Sequence, residues 1–150
     1  MEKIWLRHYP AGVPAAVALD VYGSLVALIE ESFRKYRDLP AYRFMGKTFT
    51  FGEVDELSAA FAAHLQTSGL QRGDRVAIIL PNVPAFPVVY WGILLAGGIV
   101  VPMNPLLKAG EIDYFFSDSG AKIAFVWPDF VPEATKGAAN AGTTIIECGP

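Results

Sequence analysis

Apolar side chains recur along this chain at two periods, and the change of period separates its two halves. Leu25, Leu28, Ile29, Phe33 and Tyr36 fall on one helical face, with Glu30, Glu31, Arg34, Lys35 and Arg37 mostly on the others. Ser24 is placed to cap this first helix, the basic cluster suits its negative end, and Pro40 marks its exit. Short β-like runs at Ala41–Met45 and Thr48–Thr50 flank Gly46-Lys47 and predict a small hairpin. Thr50-Phe51-Gly52-Glu53 then has the form of a capping box, in which a Thr hydroxyl and a Glu three residues on close each other's free N–H groups. The second helix runs to about Ser68, turns Val54, Leu57, Phe61 and Leu65 inward, and stops at Gly69.

From Gly73-Asp74, which reads as a turn, the pattern becomes a rapid alternation. Val76–Leu80 is a continuous apolar run, as a strand buried on both faces requires. Ala85–Ala96 is a helix apolar on all sides, and so is expected to be covered on all sides. Gly97-Gly98 ends it before a strand at Ile99–Val101. A short helix at Glu111–Ser117 ends at Gly120. A strand at Lys122–Trp127, a weak helix at Asp129–Asn140 and a last strand at Thr143–Cys148 follow. Strand and helix alternating at this interval give an α/β fold, a mostly parallel sheet flanked by helices with right-handed crossovers. The order of the strands is left open. Residues 1–21 read as an irregular arm pinned by Trp5, Leu6 and Tyr9, and residues 22–150 as one domain.

Composition narrows the function classes. At 150 residues, 53% hydrophobic and 18% charged, the chain can bury a sizeable core and is not disordered. The formal charge is −3 with no Lys/Arg stripe, which argues against a nucleic-acid surface. No charged residue lies between Val76 and Leu107, but Pro81, Pro84, Pro87, Pro102 and Pro105 interrupt that segment. It therefore reads as strand, helix and strand in preference to a membrane span. The opening residues show no secretory signal, and the single cysteine, Cys148, excludes an internal disulfide framework; both fit a cytoplasmic setting.

Candidate chemistry is sparse. Gly92 and Gly97-Gly98 resemble a phosphate loop faintly, but no Lys-Ser or Lys-Thr follows and the glycines sit at a helix end, where a C-cap is the better reading. His64 reads as a partly buried structural histidine at the edge of the second helix's apolar face, and His8 sits alone in the arm. No Cys, His and Asp cluster has metal spacing, and Cys148 has no neighbouring cation to activate it. Glu53, Asp55 and Glu56 crowd a helix start, where the dipole favours them. Asn82 and Asn104 each follow a buried strand, the one position that by itself suggests a ligand; the competing reading is that each bonds its own turn.

Four stretches taken together resemble one family. They are Thr48-Phe49-Thr50-Phe51-Gly52-Glu53-Val54 running to Leu57; Gly73-Asp74-Arg75-Val76-Ala77 with Pro81-Asn82; Leu95-Ala96-Gly97-Gly98-Ile99-Val100-Val101-Pro102-Met103-Asn104-Pro105; and Asp118-Ser119-Gly120-Ala121-Lys122. Their order and spacing are similar to the N-terminal region of adenylate-forming enzymes: acyl-CoA ligases, luciferases and the adenylation domains of peptide synthetases. Lys3-Ile4-Trp5-Leu6, Tyr9-Pro10 and Tyr22-Gly23-Ser24-Leu25 resemble more particularly the bacterial long-chain fatty acid–CoA ligases.

The resemblance implies a two-step ATP-dependent reaction, in which a fatty acid is converted to an acyl-adenylate and then transferred to coenzyme A, with magnesium offsetting phosphate charge. The family's Ser/Thr/Gly-rich phosphate loop, aromatic-Thr-Glu motif, ribose-binding Asp and catalytic Lys have no counterpart in these 150 residues. The resemblance therefore implies no catalytic, cofactor-binding or metal residue here. ATP, magnesium and coenzyme A are expected for the full-length enzyme, none is expected to bind this chain alone, and the chain alone is expected to be inactive. The implied partners are the remainder of the same ligase chain and a fatty acid, with peripheral membrane contact through the arm and homodimerisation open. Two other readings stand beside this one: a stand-alone binding or regulatory module of the same fold, and an aryl or short-chain acid–CoA ligase.

Overall fold

The computed structural model describes residues 3–18 and 20–149. Helix α1 spans Leu25–Lys35, and Ser24 Oγ accepts from the Ala27 N–H at 3.0 Å, closing its first turn. Ile29 and Phe33 are its buried residues. Strands β1 (Pro40–Phe44) and β2 (Lys47–Thr50) form the antiparallel hairpin, with Tyr42 opposite Phe49 and Phe44 opposite Lys47. The turn is Met45-Gly46, one residue earlier than the sequence places it. Both residues have positive φ (47° and 82°), as the tightest hairpin turn demands. Helix α2 (Phe51–Thr67) opens with the capping box: the Thr50 N–H donates to Glu53 Oε2 at 2.7 Å, and the Glu53 N–H donates to Thr50 Oγ1 at 3.2 Å.

The remaining elements alternate: β3 (Arg75–Ile79), α3 (Ala85–Leu95), β4 (Ile99–Pro102), α4 (Ala109–Ser119), β5 (Ile123–Val126), α5 (Val131–Ala141) and β6 (Thr144–Glu147). The four strands β3 to β6 form one parallel sheet in the order β4-β3-β5-β6. Side chains alternate across it. Val76, Ile78 and Phe125 pack with Ala62 and Leu65 of α2 and Val89 and Ile93 of α3. Ala77, Ile79, Ala124 and Val126 face Ile112 and Phe116 of α4 and Ala134 and Ala138 of α5. Val76–Ile79 of β3, fully buried, form the centre of both cores.

Small residues let the helices approach closely. A Cβ on Gly92 of α3 would lie 2.6 Å from Phe61 Cδ1 and 3.0 Å from the Ser58 carbonyl of α2. A Cβ on Gly137 of α5 would lie 2.6 Å from Ile112 Cγ2 of α4. Gly97, at φ +85°, ends α3 with its N–H on the Leu94 carbonyl, while the Gly98 N–H reaches the Ile93 carbonyl. That is the C-cap the sequence suggests.

Four expectations are corrected. Leu57 is 47% exposed and the inner face of α2 centres on Val54, Ser58, Ala62 and Leu65, because the close approach to Gly92 brings the small residues inward. Helix α3 buries only Val89, Gly92 and Ile93; its remaining residues are half-buried, since nothing in the described residues covers its outer side. Trp5 and Tyr9 do not pin the arm: they are 48% and 42% exposed on and after a short 3-10 helix at Ile4–His8, and only Leu6 is half-buried. His64 is exposed rather than partly buried, lying beside the Phe61 ring with centroids 6.5 Å apart. No helix among the described residues is long and apolar enough to cross a membrane.

A candidate groove at the carboxyl edge of the sheet

The order β4-β3-β5-β6 contains a reversal. From β3 the chain crosses to one neighbour, β4, and then returns to the other side of β3 as β5. Loops leaving the carboxyl ends of β3 and β5 therefore part in opposite directions, and the crevice between them is where open α/β sheets bind ligands. Two adjoining hollows lie on the α3 side of this edge, and only the second reaches a residue that follows β5. One, of about 490 Å³, is lined by Tyr42, Arg43 and Phe44 of the hairpin, Asn82 and Val83 of the loop after β3, and Phe86, Tyr90 and Trp91 of α3 among others. The other, of about 440 Å³, is lined by Val54 and Leu57 of α2, Val88 of α3, Trp127 at the end of β5 and Gly149 after β6, among others. Phe44, Val83 and Pro84 wall both.

Helix α3 follows Pro84 and carries Pro87 in its first turn, and its half-buried outer side presents aromatic rings to the groove. Phe86 and Tyr90 stack with centroids 6.2 Å apart, and Tyr90 meets Trp91 edge-on at 5.2 Å. Within this apolar wall Arg43 is the only charged residue. Its guanidinium makes no ion pair or hydrogen bond among the described residues, and neither does the Asn82 amide. The other asparagine singled out by position behaves differently. Asn104 Oδ1 accepts from the Leu106 N–H at 3.0 Å, which is a turn bond and no ligand contact.

The opposite, amino edge of the sheet is stitched shut. Arg75 Nε donates to the Ser119 carbonyl at 2.7 Å and its Nη2 to the Gly120 carbonyl at 3.1 Å. Lys122 Nζ lies 2.7 Å from Asp74 Oδ1, while Asp74 Oδ2 accepts from the Gln71 N–H at 2.9 Å. The Lys122 ammonium, and then the Gln71 N–H, hold the Asp74 carboxyl below the usual aspartate range. Two of the sequence motifs, Gly73-Asp74-Arg75 and Asp118-Ser119-Gly120-Ala121-Lys122, thus meet in space and clasp each other.

Two helix starts, the ordinary seats for a phosphate, are already occupied. At the start of α2 the free N–H groups are taken by Thr50 and Glu53, and at the start of α4 the Lys108 N–H donates to Glu111 and the Ala109 N–H to Glu133. Phosphate would meet carboxylates there rather than open donors. Among the described residues no three His, Cys, Asp or Glu side chains come together as metal ligands. Glu53 is occupied with its cap and Glu56 with Arg37, whose guanidinium also lies 3.9 Å from Asp55. Cys148 is half-buried, and burial pushes its thiol above the ordinary range, away from a reactive thiolate. His8 is exposed in the arm. Sequence reasoning pointed to the loop of Asn82 but missed Tyr42, Arg43, Phe44, Tyr90, Trp91 and Trp127. The outward aromatics of an all-apolar helix were the available signal.

The AMP-binding enzyme family matches residues 29–148. The long-chain-fatty-acid–CoA ligase of Yersinia pestis is 46% identical over 131 residues, a match covering 87% of this chain and 23% of the relative. The enzyme of the same description from Salmonella typhimurium is 47% identical over the same length and shares. Among solved structures, the benzoate CoA ligase from Burkholderia xenovorans LB400 superimposes with a TM-score of 0.77 at 26% identity, covering 82% of this chain and 25% of that one. The chain spans about a quarter of the length of the relatives it matches.

Proposed function

The chain belongs to the AMP-binding enzyme family, and from that premise we propose that it serves as the N-terminal part of an ATP-dependent long-chain fatty acid–CoA ligase. The observation that carries this is the 46% identity over 131 residues to a ligase of that description, in that enzyme's N-terminal region. The benzoate ligase, at 26% identity, supports the wider class of acid–CoA ligases and leaves the long-chain assignment to the closer sequence matches. The stand-alone module is not favoured, since the close sequence relatives are ligases.

In such an enzyme ATP, magnesium and coenzyme A supply adenylation and thioester formation. This chain's own residues do something else. β3, buried on both faces, and the Arg75 and Lys122 contacts hold the sheet edge rigid. The loops after β3, β5 and β6 bring a shaped apolar surface to the carboxyl edge. Residues 22–150 then form the N-terminal part of the large AMP-binding domain, and residues 1–21 an arm whose exposed Ile4, Trp5, Tyr9, Val13 and Val17 suit peripheral membrane contact in a cytoplasmic enzyme.

The test is a chimera. Residues 20–150 replace the matching segment of the Yersinia pestis ligase, and palmitoyl-CoA formation and pyrophosphate release are measured for the chimera and for this chain alone. We expect turnover by the chimera and none by the chain alone. A chimera that folds with the parent's Tm yet makes no acyl-CoA from acids of any length, or robust pyrophosphate release by the isolated chain, would overturn the proposal.

A further inference from the structure

We propose that residues 24–50, helix α1 and the β1–β2 hairpin, are a flap that comes away from α2 and α3 as one unit while the parallel sheet stays folded. Its opening removes the hairpin wall of the first hollow. This does not rest on the ligase reading, because every contact it uses lies within this chain.

The flap is weakly attached. Its hairpin is a sheet of its own, and neither of its strands joins the four-stranded sheet. The arm before it contributes no buried residue among those described, so the flap's firm covalent link is its exit at Thr50-Phe51. The two cores of the sheet each bury ten of the described residues, whereas the flap sits on a third core of three, Ile29, Phe33 and Val54. Phe49 of the hairpin and Val88 and Trp91 of α3 pack around that small core and are only partly buried. Backbone bonds tie the flap to α2 at its root: the Phe51 N–H donates to the Leu39 carbonyl at 3.0 Å and the Gly52 N–H to the Arg37 carbonyl at 2.8 Å. The Arg37–Glu56 pair beside them is exposed on both partners, and such pairs add little.

The flap opens whole because neither of its parts stands alone. Helix α1 has 11 residues, short of the length at which a helix persists in water. A two-stranded hairpin is marginal by itself. Both lean on Ile29 and Phe33, so loss of that core releases both together, as a cooperative unit of lower stability than the sheet. Tyr42, Arg43 and Phe44 leave with the hairpin, and the first hollow keeps only its α3 side and the loop after β3. The root is where the hinge is set. A Cβ on Gly52 would lie 2.8 Å from Arg37 Cγ and 3.1 Å from the Arg37 carbonyl oxygen, so the loop before β1 seats on α2 only where α2 carries no side chain.

The experiment is native-state amide hydrogen exchange on the full 150-residue chain, at a series of low urea concentrations. We expect the amides of α1, β1 and β2 to share one opening equilibrium and one urea dependence, with protection at least about tenfold below that of β3. Ile29→Val should speed exchange of α1 and of the hairpin alike by about three- to tenfold and leave β3 as it was. Gly52→Ala, which forces the root apart, should act in the same direction on the same amides. Ile112→Val, in the core under α4 and α5, should do the converse, lowering the protection of β3 and leaving the flap's opening unchanged. The parent's exchange decides the matter even if a variant fails to fold. Hairpin amides that stay protected after α1 has exchanged, a flap as well protected as β3, or an Ile29→Val that speeds β3 by the same factor as α1 would overturn the proposal. The chimera's turnover is read separately, so the flap and the ligase assignment can fail independently.

Discussion

The two edges of the parallel sheet are built from the same strands and end in opposite ways. At the amino edge every strand entrance is tied. Gly73 bonds Gly97, Ile99 bonds Asp74, Lys122 bonds Arg75 and Thr144 bonds Lys122 through the backbone, and the side chains of Arg75, Thr143 and Lys122 add cross-strand bonds. At the carboxyl edge the ladder ends on Met103, Trp127 and Cys148, and beyond it lie aromatic walls, an unpaired arginine and an unbonded asparagine amide. Polar groups satisfied within the chain serve the fold; polar groups left beside apolar surface are available to something else. Substitutions at matched positions on the two edges should therefore separate stability from binding.

The largest difference is expected between two phenylalanines. Phe116, in the last turn of α4 near the amino edge, is 1% exposed against the core beneath α4 and α5. Phe116→Ala should cost about 3–5 kcal/mol by denaturant unfolding, from lost burial and the cavity left behind. Phe86, in the first turn of α3 at the carboxyl edge, is half-buried and stands in the groove wall. Phe86→Ala should cost roughly half as much, in proportion to the smaller area it removes from water. Equal costs would mean that the groove is as much core as the far face.

Two arginines sharpen the contrast at smaller scale. Arg75→Met leaves the Ser119 and Gly120 carbonyls without their partner, and should lower stability by about 1–3 kcal/mol. Arg43→Met removes no internal bond, and should stay within about 0.5 kcal/mol of the parent. Urea midpoints for the pair check both. A costly Arg43→Met would show that its guanidinium serves the fold.

Much of the fold was legible because it rests on local chemistry. Ser24, the Thr50/Glu53 box, Gly97-Gly98 and Gly120 each close a helix end using residues within a few positions, and the uninterrupted Val76–Leu80 run could only be a strand buried on both faces. What was not legible depends on neighbours far along the chain. Leu57 looked inward by period, but Ser58 and Ala62 are inward because Gly92, some thirty residues on, lets α3 press against them. The groove gathers residues 42–44, 49, 54 and 57, several between 82 and 91, 127 and 149, and only the strand order together with the docking of the hairpin and α2 on α3, which no local pattern fixes, brings those segments together.

The smallest expected effect concerns pH at the amino edge. Lys122 and the Gln71 N–H lower the Asp74 pKa in the folded chain, so its ionised form is favoured by folding. A depressed carboxyl contributes stability above its unfolded pKa, near about 4, and loses that contribution as pH falls through the folded value. The stability of the parent should thus decline on acidification below pH of about 4, and Lys122→Met should flatten that decline, because the larger of the two causes is gone while the Gln71 bond stays. Tm against pH for the two proteins checks it. The arm and groove carry no comparable carboxylate pair among the described residues, so a substitution there, Tyr42→Glu for instance, should leave the acid limb's dependence on Lys122 unchanged. If Lys122→Met leaves the acid limb as steep as before, the clasp between the two motifs is held by Arg75 and the backbone, and the ion pair is incidental to it.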